Sequence, residues 1–232
     1  MSAGWLSPWA IWDTVLRKWL WKNQDGDTPS WEFPNRSGIV PLTTTDDPYI
    51  KAVEHFNKVL AVAATYVRSN EDASAALPIT FTIDAQPDVP RTLTYAFDSH
   101  AQITAFTLVF TGVDAKGKVI TDTFTAASGW TGTTAHAYAT ITSIKLNART
   151  GTGAGDTIDI GIGTSLGLAN ELNAAGDVFK IAKSAAAGNS ADLAAAAYTA
   201  EAVNDTVDVS TGGAIVDGDS FTIWYKSRLF NI

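Results

Sequence analysis

A mainly β protein, built as an antiparallel β-sandwich or jelly-roll-like module behind a helical N-terminal arm, is what this sequence predicts. Three observations carry the prediction. From Leu77 onward, apolar residues and threonine alternate in "LPITFTID", "ITAFTLVFTGV", "VITDTFTA", "ATITSIKLN", "DTIDIGI", "DTVDVS" and "FTIWYK". Each run is short and bounded by Gly, Asp, Asn or Pro, the pattern of half-buried strands between turns, with no helices alternating between them to make a parallel sheet. The first two dozen residues instead carry apolar side chains at intervals of three and four.

That first segment, "GWLSPWAIWDTVLRKWLWK", has a defined start. Ser7 can cap a helix and Pro8 suits its first position, where a missing N–H costs nothing. A helix over residues 8–21, with Trp5 as lead-in, then aligns Trp9, Trp12, Leu16, Trp19 and Leu20 opposite Asp13, Arg17, Lys18 and Lys22. So short a stretch cannot bury that much indole within itself, so Trp5, Trp9, Trp12, Leu16, Trp19 and Leu20 are expected to form a partner interface. Docking on another chain is favoured over folding back on its own domain or anchoring at a membrane surface, for which the segment has too few basic residues. The following "NQDGDTPSWEFPNRSGIVPLTTTDDP" is dense in turn formers and reads as linker, so residues 1–37 make up arm and linker.

Residues 38–76 read as a connecting segment with a second helix over 48–68. Asp46 and Asp47 precede Pro48, and Ile50, Val53, Phe56, Leu60, Ala63 and Val67 recur at helical spacing. Its second half, "VLAVAATYV", is β-branched enough to be a strand instead. Residues 77–232 form the β-sandwich domain, with lobes at 77–170 and 171–232. Its clearest local element is the hairpin "AFTLVFTGVDAKGKVITDTF", in which Phe106, Leu108 and Phe110 share one face and Gly117 takes positive φ in the "DAKG" turn. The Ala-rich stretch 184–204 suits a helix by propensity and an extended connection by context, and both readings stay open.

Composition narrows the function. A chain of 232 residues with 46% hydrophobic content is globular, and a formal net charge of -8 with no basic stripe argues against nucleic acid as partner. With no Cys there is no thiolate chemistry and no disulfide framework. The N-terminus lacks the features of a secretory signal, and no run approaches the roughly 20 apolar residues of a spanning helix, so a membrane role is not expected.

Chemistry-bearing motifs are sparse. "RTGTGAGDTIDIG" lacks the Gly-Lys-Ser/Thr ending of a phosphate loop and runs into a strand, so an inter-strand turn is expected there. One imperfect copy of a calcium-roll repeat, with Asp156 and Asp159, gives no expected metal site. His55, His100 and His136 show no ligand spacing, Ser128 has no nucleophile elbow, and Asp114 and Asp122 are expected to solvate the hairpin edge. No catalytic residue, cofactor or metal is therefore assigned, and the chain is read as non-enzymatic.

The segments "PDVPRTLTYAFD", "FTGVDAKGKVITDTFTA", "AYATITSIKL" and "GAGDTIDIGIGTSLGLANEL", in that order, resemble a family of tailed-bacteriophage virion structural proteins. The likeness covers residues 86–172 and extends to "NDTVDVSTGG" and "SFTIWY". The chain departs from the family pattern at Thr164 and Ser165, where the family carries Asp and Lys, and in its Trp-rich arm. The resemblance implies a capsid- or tail-associated role without catalytic residues. A virion protein assembled in the host cytoplasm, many copies of which dock on sister subunits and on other capsid or tail proteins, is the resulting expectation, with homo-oligomers and decoration or cement of the capsid as its form. The alternative is a receptor- or carbohydrate-binding β-sandwich, in which Trp130, Tyr138, Trp224 and Tyr225 would stack on sugar rings.

Overall fold

Every alternating run contributes a strand, and strands also form in two segments whose spacing predicted helices. The computed structural model describes residues 10–13, 18–22, 29–30, 49–127, 129–185 and 190–228. In chain order the strands are β1 (Ala10–Asp13), β2 (Lys18–Lys22), β3 (Pro29–Ser30), β4 (Tyr49–Val59), β5 (Ala63–Asp72) and β6 (Ile79–Thr80). Next come β7 (Arg91–Ser99), β8 (Ile103–Val113), β9 (Val119–Ala126), β10 (Thr131–Thr133), β11 (Thr140–Gly151) and β12 (Thr157–Gly167). The last five are β13 (Val178–Ser184), β14 (Ser190–Asp192), β15 (Thr199–Glu201), β16 (Thr206–Asp208) and β17 (Asp219–Arg228). Every registered pairing is antiparallel. The protein is thus mainly β, as its alternation predicts.

The chain divides into two compact units, Met1–Lys51 with Arg228–Ile232, and Ala52–Ser227. In the first, β1, β2 and β3 form an antiparallel ribbon whose register sets Trp12 opposite Trp19 and Ala10 opposite Trp21. The helical arm over 8–21 is therefore not supported. The segment carries both periods, since Ala10 and Trp12, like Trp19 and Trp21, stand two apart, and Trp and Ile favour strands once a partner strand supplies the ladder. Trp5, Trp9 and Leu16 lie outside the described residues.

The helix expected over 48–68 is also replaced, by β4 and β5, and in its second half β5 is the strand that the β-branched run "VLAVAATYV" offered as the alternative. In β4, Ala52 and Phe56 are buried while Val53, His55 and Asn57 are exposed, an alternation as regular as the helical spacing read from the same residues. Lys58, at φ 52, then bends the chain and returns Val59 to the interior. Pairing with β17 and β12 provides the backbone partners that outweigh local propensity. Among the described residues of the Ala-rich stretch, β14 and β15 flank a 3-10 turn at Ala195–Ala197.

The second unit holds two cores. The first is lined by Leu93, Tyr95 and Phe97 of β7, Phe106, Leu108 and Phe110 of β8, Ile141, Ile144 and Leu146 of β11, and Ile158, Ile160 and Ile162 of β12. It is enclosed by the sheet β10-β7-β12-β16-β15, with β5 also on β12, and by the sheet β6-β11-β8-β9. The hairpin stands as expected, with Val113 opposite Val119 and Gly117 at φ 77. The second core collects Phe56 and Val59 of β4, Leu166 of β12, Ile181 of β13, Val207 of β16, and Phe221, Ile223 and Tyr225 of β17. It lies against the sheet β14-β13-β17-β4. β12 contributes to both cores and is buried along nearly its whole length. At Gly161 a Cβ would be driven into the Ala63 carbonyl and the Ala64 Cα, so glycine is what lets β5 lie so close to β12.

Candidate functional site

Polar residues turned into this apolar scaffold are the candidates for chemistry, and Arg91, Asp205, Asp122 and Glu54 each centre a cluster of them. The largest fully buried side chain is Arg91, at the start of β7. It continues the inward series of Leu93, Tyr95 and Phe97, so alternation places a cation on the core face. Its Nε donates to the Gly163 carbonyl at 2.9 Å, its Nη2 donates to the same carbonyl, and its Nη1 donates to the Leu60 carbonyl at 3.0 Å. Nη1 also pairs with Asp88 Oδ1 at 3.1 Å, while Asp88 Oδ2 accepts from the Leu60 N–H at 2.7 Å. Arg91 and Asp88, both in "PDVPR", thereby bind β7, β12 and the β4–β5 connection into one knot.

A second tie joins the tip of the β8–β9 hairpin to the chain before β16. Asp205, buried and at φ 52, accepts the Leu172 N–H at 2.6 Å through Oδ1 and pairs with Lys116 through Oδ2. Asp114 completes the tip by accepting the N–H groups of Lys116 and Lys118 at 2.8 and 2.9 Å. Asp114 is thus a turn cap.

Asp122 on β9 faces inward, at 8% exposure, rather than solvating the hairpin edge as expected. It accepts the Tyr138 hydroxyl at 2.9 Å and the Ala135 N–H at 3.2 Å, and His136 Nδ1 lies 3.2 Å from both its oxygens. Burial, reinforced by the Asp122 charge, pushes the Tyr138 hydroxyl far above its ordinary range. A carboxylate beside a histidine has two members of a hydrolytic triad, but the hydroxyls around them are committed. Tyr138 donates to Asp122, and Thr134 Oγ1 donates to the His136 carbonyl while accepting the Leu93 N–H. Ser128 lies outside the described residues.

The fourth cluster lies at the second core. Glu54 of β4 accepts the Ala169 N–H at 3.0 Å and the Tyr225 hydroxyl at 3.1 Å, and Asn170 Nδ2 donates to Tyr225 at 3.3 Å. Desolvation raises Glu54 above the usual carboxylate range against the pull of the Ala169 N–H. It also pushes Tyr225, with the Glu54 charge adding to it, up to about 12.

The sugar-stacking set is not presented together. Tyr138 and Tyr225 are fully buried, Trp130 packs on Phe97 and Phe106 with His100 stacked 4.1 Å over it, and Lys180 lies 5.1 Å above the Trp224 ring. Asp156 accepts the Gln102 N–H and Asp159 the Asn70 N–H, and the described residues contain no group of three or more acidic, His or Cys side chains placed to hold a metal. Gly153 and Gly155, at positive φ, form the expected turn ahead of β12. Of the expected interface residues, Trp12 lies on β1 and Trp19 and Leu20 on β2. Sequence reading missed Arg91, Asp205 and Glu54. The signal for Arg91 was legible, a cation in phase with an inward-facing series, but the partners of Asp205 lie 33 and 89 residues away and those of Glu54 115 and 171.

No protein-family model, no curated protein and no solved structure matches this chain. Among the described residues no helix is long and apolar enough to cross a membrane.

Proposed function

We propose that this chain is a non-enzymatic structural protein of a tailed-bacteriophage virion, set in many copies on the capsid, as a decoration or cement protein, or on the neck or tail. In its finer architecture the β domain is a sandwich, jelly-roll-like building block, and the Trp-rich N-terminal segment is the part that grips sister subunits or other virion proteins. The observation that carries the reading is the use made of the ordered segments. Arg91 and Asp88 of "PDVPR" bind Gly163 of "GIGTSLGL" and the Leu60 backbone, Lys116 of "DAKGK" binds Asp205 of "NDTVD", and Asp122 of "ITDT" binds Tyr138 of "AYAT". The segments that carry the resemblance are thus spent on holding one another in place, which is what a repeated building block needs.

The N-terminal segment supplies adhesion. Burying three or four indoles of about 150 to 250 Å² each at ~25 cal/mol per Å² amounts to roughly 10 to 20 kcal/mol gross, before ordering and association costs. The backbone register of the ribbon sets Trp12 opposite Trp19, which brings two of the expected anchors to neighbouring strands.

Mass spectrometry of gradient-purified virions from the source lysate tests the reading. The chain is expected in many copies per particle, and its absence from intact particles would sink the proposal. Substituting Trp12→Asp and Trp19→Asp together is expected to abolish incorporation while the β domain keeps its melting temperature. Normal incorporation of that double variant would remove the N-terminal segment from the assembly mechanism.

A further inference from the structure

Sheet edges in this protein are mostly short or occupied. β6, β10, β14 and β15 run two or three residues each, too short to template another chain. The outer edge of β5 is met by the segment around Asp84, whose N–H donates to the Val67 carbonyl and whose carboxylate pairs with Arg68. β9 is tied to residues 135 and 136 through Asp122. β4 differs, because it runs eleven residues, ends the order β14-β13-β17-β4, and has no described strand on its outer side.

We infer that β4 pairs with β4 of a second copy of this chain, antiparallel about a two-fold axis, with Val53 opposite Val53. The occupant follows from self-complementarity. Pairing about a two-fold axis sets residues equally spaced from the centre opposite each other, so inward residues meet inward residues and outward meet outward. Centres at Val53, Glu54 and His55 give the longest ladders within Tyr49–Val59. Centring on Glu54 would oppose two carboxylates, which destabilises a cross-strand pair. Centring on His55 would draw the bend at Lys58, φ 52, into the ladder. Centring on Val53 opposes an apolar residue that is 48% exposed to its own copy, sets Glu54 opposite Ala52 and Lys51 opposite His55, and leaves the bend outside. Because the far edge of the sheet is the three-residue β14, such pairing closes as a dimer rather than growing as a fibre.

The full chain has no Cys, so single introduced cysteines read the register directly. Directly opposed residues have Cβ atoms about 4.5–5.5 Å apart, near disulfide range, whereas residue 57 would lie eight positions, roughly 26 Å, from its own counterpart. Under mild oxidation Val53→Cys is expected to give a covalent dimer at least tenfold faster than Asn57→Cys. Val53→Asp, which sets two charges against each other at the axis, is expected to halve the light-scattering mass of the parent. Equal crosslinking at the two positions, or an unchanged mass for Val53→Asp, overturns the inference. Neither result bears on the virion reading, which particle content decides.

Discussion

Removing the Arg91 guanidinium would leave the Gly163 and Leu60 carbonyls and the Asp88 carboxylate without their donor in a buried setting. Breaking one side of such a network costs about 3–5 kcal/mol, so Arg91→Ala is expected to lower the denaturation midpoint by that equivalent in urea titration. Lysine should recover little, because one ammonium cannot reproduce the planar fork that serves Gly163 and Asp88 together. The tyrosines give a second prediction. Tyr225 is raised from its ordinary value of 10.0 to about 12, with desolvation the main cause. Unfolded chains lose this proton first, so the folded state binds more protons between those values, and stability falls as pH climbs from 10 toward 12. Tyr225→Phe should flatten that decline in thermal melts. Of the six tyrosines in the chain, Tyr95, Tyr138 and Tyr225 should resist ionisation in an absorbance titration until the protein unfolds.

Elements were legible where one neighbour in sequence supplies the partner. The β8–β9 hairpin could be read outright, since its turn, its facing and its pairing all lie within Phe106–Phe124 and agree with one another. β4, β5 and the N-terminal ribbon were not, because apolar residues there satisfy both the helical and the strand period, and only pairing decides between them. The Lys116–Asp205 tie makes a prediction at this scale. Lys116 is a quarter exposed, so Lys116→Ala alone should cost no more than about 1 kcal/mol. Asp205→Ala also strips the acceptor from the buried Leu172 N–H and should cost roughly 1–3 kcal/mol. A double-mutant cycle in urea should then return a coupling of about 0.5 kcal/mol or more, and a coupling of zero would mean the tie is not formed in solution.

β12 binds the two cores of the Ala52–Ser227 unit into one structure, since Ile158, Ile160 and Ile162 fill the first and Leu166 the second. That unit is therefore expected to unfold cooperatively. Ile160→Ala and Ile223→Ala, placed in different cores, should each cost about 2–5 kcal/mol and shift one shared transition. Trp130 fluorescence, isolated by replacing the other seven tryptophans with phenylalanine, and far-ultraviolet circular dichroism should report the same midpoint, and two separated midpoints would show that the cores melt independently. The sequence by itself determined the β class, the hairpin with the shared facing of Phe106, Leu108 and Phe110, and the turn before β12, because these depend on alternation and on turn residues close in the chain. Tertiary structure alone decided that residues 10–13, 18–22 and 49–59 are strands, that Arg91 is a buried knot, and that Asp122, Asp205 and Glu54 are acceptors turned inward. Each of those depends on a backbone partner supplied by another strand or loop, often from far along the chain, and no local pattern records which partner will arrive.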